Sequence, residues 1–157
     1  MITMAEDKEI DKELKEKADK KIKKDGWIRA SMMIEVLAIT EEATKNALEK
    51  HVEGLAKEKQ VMLYKKDFGK IIGVMNPLPK NPNIKEAFSQ VVELECGIQR
   101  YEDLIQLVMY YGPSSIEILE PGNINMKLGE AQGILNSIAD LIHKFVAAGI
   151  GGVIIKS

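Results

Sequence analysis

The chain has one cysteine, Cys96, which leaves no partner for an intramolecular disulfide and no second thiolate for a zinc finger or a redox pair. Cys96 is expected as a small buried hydrophobe. No stretch reaches the run of about 18 apolar residues that a membrane helix needs. The first residues carry Lys, Asp and Glu where a secretory signal would be basic and then apolar, so a cytoplasmic protein without membrane contact is expected. Arginine is nearly missing, with Arg29 and Arg100 the only two, and aromatic residues make up 5% of the chain. A net charge of −2 gives the phosphate rows of nucleic acid no overall attraction, so nucleic acid is not expected as a partner.

What is plentiful is Lys, Glu and Ile, a balance that resembles proteins of high-temperature organisms. With 157 residues and 45% apolar content, the chain is long enough to bury the core of one ordinary domain.

Periodicity divides it. Met4 to Lys24 is densely charged, with Ile10, Leu14, Ala18 and Ile22 spaced by four, which predicts a helix with one thin apolar stripe closed by Asp25-Gly26. From Trp27 to Ile39 apolar residues alternate, predicting a half-buried strand with Arg29, Ser31, Met33 and Glu35 on its other face. Thr40 is an N-cap for a helix to about Lys57, with Glu41 and Glu42 in the first turn. Gln60 to Met75 predicts a long bent strand or a hairpin. The Pro- and Asn-rich segment 76–83 then lacks the amide donors to continue a ladder. Phe88 to Gly97 alternates as a second strand.

The next stretch, Tyr101 to Pro121, has apolar residues at helical spacing up to Gly112-Pro113, then the short run Ile116-Glu117-Ile118-Leu119-Glu120-Pro121. This segment resembles the C-terminal extension of WYL-type regulators, where an amphipathic helix enters a Gly-Pro turn, a short Glu-Val/Ile-Leu-Glu-Pro strand and a further helix. Neither a winged-helix pattern nor a WYL core precedes it in this sequence. The resemblance therefore implies a ferredoxin-like fold and a sensing or interaction role, and does not imply transcriptional regulation.

The strongest helical signal runs from about Met126 to Ala148. Leu128, Ala131, Leu135, Ile138, Ile142 and Phe145 step by three and four, a heptad seam, and these are the candidate interface residues. Gly149 ends the helix, and Val153-Ile154-Ile155 follow as an apolar tail expected to pair with a sheet edge.

The order of elements predicts an α+β, ferredoxin-like βαββαβ antiparallel sheet with added N-terminal and C-terminal helices. Residues 1–25 form the charged helix, 26–122 the core, and 123–157 the final helix and tail, packed on the core or on an oligomer interface. Both core helices are expected on one sheet face, leaving Glu35, Glu93, Glu95 and Glu117 on a bare opposite face. An acidic face suits neither base stacking nor phosphate contact. Its carboxylates are the candidate ligands for a divalent cation, against the plainer expectation that they keep the face wet. His51 and His143 are expected to be structural or solvent-facing. Gly112-Pro113-Ser114-Ser115 lacks the flanking glycine and following helix of a nucleophile elbow, and Gly149-Ile150-Gly151-Gly152 follows a helix where a phosphate cradle would precede one. Asn123 and Asn125 are expected to cap the last helix, and Lys65, Lys66 and Lys70 to form a solvated basic turn. No cofactor is expected. The reading is a non-enzymatic self-associating module, a homo-oligomer with a possible small-molecule ligand or protein partner. The alternative is a small metal-dependent enzyme or metal-binding protein on the acidic face.

Overall fold

The computed structural model describes residues 8–149. Its elements are β1 (Lys8–Ile10), α1 (Lys12–Asp25), β2 (Ile28–Ala38), α2 (Glu41–Ala56), β3 (Val61–Phe68), β4 (Ile72–Met75), β5 (Glu86–Ile98), α3 (Tyr101–Tyr111), β6 (Ser115–Glu120) and α4 (Leu128–Ala147). Among the described residues it is a mixed α+β protein with one open, wholly antiparallel sheet of six strands and four helices. Along the sheet the order is β1-β3-β5-β2-β6, with β4 also on β5. The apolar tail expected at 153–155 lies outside the described residues.

The alternation in β2 and β5 sets the layers. Ile28, Ala30, Met32 and Ile34 stand on the same face as Val92, Leu94, Cys96 and Ile98, where they meet Leu48, Val52 and Leu55 of α2 and Leu104 and Leu107 of α3. Each such buried Ile, Leu, Val or Met side chain contributes about 1.5–3 kcal/mol through the apolar surface it removes from water. Thr40 caps α2 by accepting from the Ala43 amide at 3.1 Å, as its position predicts. The hydroxyl of fully buried Thr44 donates to the Phe88 carbonyl at 3.0 Å, tying α2 to β5.

The 60–75 segment is the bent strand and not the hairpin: β3 pairs with residues 92–98 of β5, and β4 with residues 86–89 of the same strand. Lys65 and Lys66 lie within β3, paired to Glu95 and Leu94, so they are strand residues and only Lys70 falls in the break.

Three further expectations are corrected. The first helix starts at Lys12, because residues 8–10 pair with Lys65–Asp67 as a short edge strand and Asp11 caps the helix by accepting from the Leu14 amide at 3.0 Å. Ile10 thus belongs to β1 and not to the helical stripe. The last helix begins at Leu128, with Lys127 at its cap position and no side-chain cap, so neither Asn123 nor Asn125 plays that role. Finally, the face opposite α2 and α3 is not bare. Fully buried Ala18 of α1 sits against Gly97 of β5, where any side chain would have its Cβ 3.3 Å from the Ala18 Cβ. Gly97 is what lets a helix lie this close to the strand.

Candidate interaction surface

The acidic face breaks into separate environments. Glu95 and Glu117 both pair with Ser31, from strands on opposite sides of β2, while Glu93 pairs with Met33 and Glu35 with Val91. Glu35 accepts a hydrogen bond from the buried Ser89 hydroxyl at 2.9 Å, and Glu117 is exposed. Among the described residues, no three His, Cys, Asp or Glu side chains gather where they would hold a metal ion.

Glu95 belongs instead to a partly buried ionic cluster centred on Arg29. Its guanidinium donates to Glu120 at 2.6 Å, to Asp19 at 2.5 Å and to the Tyr64 hydroxyl at 2.6 Å, and Tyr64 in turn donates to Glu95. Five elements meet there: α1, β2, β3, β5 and β6. Burial opposes the charge on Arg29, and the bonds to Glu120, Asp19 and Tyr64 outweigh it and hold its pKa above the ordinary value. Hydrogen bonding to Arg29 keeps the Asp19 carboxyl below its usual range. Burial, reinforced by Glu95, keeps the Tyr64 phenol protonated. Alternation from the core-facing Leu63 puts Tyr64 on this face, and the irregularity of β3 between Leu63 and Lys65 keeps Lys65, paired with Glu95, on it as well. No pattern of alternation announces such a bulge. The available signal was composition: both arginines of a lysine-rich chain make paired ionic contacts, since Arg100 donates to the buried Asp103 at 3.2 and 3.3 Å.

His51 is structural: its Nε2–H donates to the Tyr111 carbonyl at 2.8 Å, and its ring meets that of Tyr111 edge-on. Tyr111 donates to Glu58 at 2.8 Å, and burial with that bond pushes its phenol up to about 12. His143 is exposed on α4, Cys96 is buried, and burial pushes its thiol up to about 12, which makes it unreactive.

Among the described residues, the heptad seam of α4 is an exposed apolar surface. The side of α4 that turns inward, along Gly133, Ile134, Ser137 and Leu141, lies towards α3, its main neighbour among the elements. Gly133 makes the approach possible, since a Cβ there would meet Glu102 Oε1 at 3.0 Å. The seam points elsewhere. Leu128 is 85% exposed, Leu135 63%, Ile142 51% and Phe145 45%, and Ile138 is exposed beside them, while Ala131 is half-buried at the seam's inner border. Contiguous exposed apolar side chains of this kind are common at contact surfaces.

Beside the start of α4 lies an open cleft of about 490 Å³, lined by Gly26, Gln99, Arg100, Tyr101, Asn123 and Asn125 among others. Arg100 and Lys127, the cap residues of α3 and α4, have no capping side-chain bonds to their helices and share a neighbouring opening with Glu102 and Glu130.

The model of the MJ0538 family matches residues 29–156. The chain belongs to the MJ0538 family. The matched stretch takes in β2 through α4 and leaves β1 and α1 outside it, so the seam is within the family domain and the charged helix precedes it. No curated protein and no solved structure matches the chain. Among the described residues, no helix is long and apolar enough to cross a membrane.

Proposed function

We propose that this protein is a non-enzymatic, self-associating module of the cytoplasm, with a homo-oligomer as its working form. The observation that carries the reading is the exposed seam on α4: Leu128, Leu135, Ile138, Ile142 and Phe145 face solvent on a helix whose inner side is already occupied by α3. The core is read as ferredoxin-like. Taken without the additions, its strands run β3-β5-β2-β6, which is second, third, first, fourth in chain order with two intervening helices, as in a βαββαβ unit. Such a core with a WYL-extension-like ending suits sensing or interaction, an argument from fold and not from a site.

The test is sedimentation equilibrium of the full chain over a wide concentration range. The expected result is a concentration-dependent oligomer, converted to monomer by Ile138→Lys with an unchanged circular dichroism spectrum. A monomer at every concentration would remove the reading.

A second function is favoured by the cleft beside α4. Its polar lining sets Arg100 beside Asp25 and Glu130, which suits a small polar ligand with both an anionic and a cationic group. Calorimetry with simple amino acids, repeated on Arg100→Ala, tests this, and absence of heat from every probe rejects it. The alternative of a metal site on the acidic sheet face is disfavoured by the engagement of Glu95 with Tyr64 and of Glu35 with Ser89.

A further inference from the structure

We infer that the α4 seam is covered by α4 of a second copy of this chain, running antiparallel, an inference that rests on the self-associating reading above and specifies its partner and geometry. The argument starts from charge. Of the residues Leu128–Ala147, Glu130, Asp140 and Lys144 are the only ones with a full charge, and none lies in the seam. Gln132 and Ala139, which flank the seam on its solvent side, and the half-buried Val146 in line with them are uncharged as well. A basic or acidic partner helix would find no counter-charges along this border. The surface calls for a helix equally apolar over the same length, and a second α4 presents one.

Side-chain volumes decide the direction. In a parallel pair each seam residue meets its own copy, so Ala131 faces Ala131 and leaves a gap, while Phe145 faces Phe145 and crowds. In an antiparallel pair Leu135 layers with Ile138 of the second copy, Ile142 with Ala131, and Leu128 with Phe145. Large then meets small next to a central layer of equal residues, and all six seam residues are used. The helix dipoles agree: antiparallel packing opposes them, whereas parallel packing aligns them. The antiparallel pair has a twofold axis at the middle of the seam, so the contact closes on itself and stops at a dimer.

The closing experiment uses cysteine variants of the full chain, since Cys96 is fully buried and does not compete in oxidation. Leu128→Cys and Phe145→Cys are made separately, both at exposed positions, then oxidised alone and after mixing, alongside sedimentation of the unmodified protein and of Ile138→Lys. The expected result is a dimer lost in Ile138→Lys, with a covalent dimer forming strongly on mixing Leu128→Cys with Phe145→Cys and weakly in either alone. A dimer in which each variant cross-links to itself overturns the antiparallel arrangement and leaves self-association standing. A dimer insensitive to Ile138→Lys, with no cross-link, moves the contact off α4 and overturns the inference alone. A monomer at all concentrations overturns both the inference and the reading beneath it.

Discussion

The two terminal helices pack on the same sheet protein by opposite physical means. Eleven of the fourteen residues of α1 are charged, and what docks it is small and specific: Ala18 against Gly97, and Asp19 on Arg29. Three of the twenty residues of α4 are charged, and it is held by an inner apolar side while a second apolar side stays exposed. A helix with one thin stripe can satisfy that stripe inside its own chain. A helix apolar over much more of its circumference has surface left over, and the surplus is where association is expected. The family match, which starts after α1 and runs past α4, places the surplus surface in the shared domain.

Breaking this contrast begins at Arg29. Arg29→Ala leaves Glu95, Glu120 and Asp19 without their common cation and should destabilise the fold by about 2–3 kcal/mol, read in urea denaturation, with α1 released. If instead stability is unchanged, the cluster is not what holds α1. Gly97→Val presses a side chain onto Ala18 and should cost about 1–3 kcal/mol, with proteolysis within 12–25 accelerated and α4 association unaffected.

The pH dependence separates the two ends of the protein further. Asp19 has a folded pKa below its unfolded one, so its contribution is present above the unfolded value of 3.8 and is lost as pH falls through the folded value. Acid should therefore loosen α1 first. Tyr111 is raised from 10.0 to about 12, so its contribution is complete below pH 10 and is lost as pH rises towards 12. Alkaline titration followed by tyrosinate absorbance should place this loss in the α2–α3 contact behind α4, and Tyr111→Phe should remove it. The smallest effect is expected on the seam: Ile142→Ser should change the stability of the dilute monomer by no more than about 0.5 kcal/mol, since the residue is half exposed there, while weakening association. Added salt should weaken the Asp19 contact and leave the seam intact.

Much of the architecture was legible because burial on one face writes itself as alternation. β2 and β5 show it over eleven and thirteen residues, and the cap at Thr40 and the stop at Gly112 lie where residue chemistry puts them. β1 was not legible, since three exposed residues have no period to read, and their pairing with Lys65–Asp67 is a tertiary fact. The seam of α4 was readable as apolar spacing, and its exposure was not, because sequence gives the width of an apolar surface without saying which part a neighbour takes. The acidic face misled for a related reason. Alternation placed Glu95 on that face correctly, while Tyr64 and the single arginine at position 29 turned it from a solvated carboxylate into a half-buried bonded partner.

The most direct measurement is hydrogen–deuterium exchange of the intact protein at low and high concentration, comparing amides of 128–147 with those of 12–25. Protection of the α4 amides should rise with concentration while that of α1 stays constant. Exchange in α4 that is independent of concentration would contradict the account.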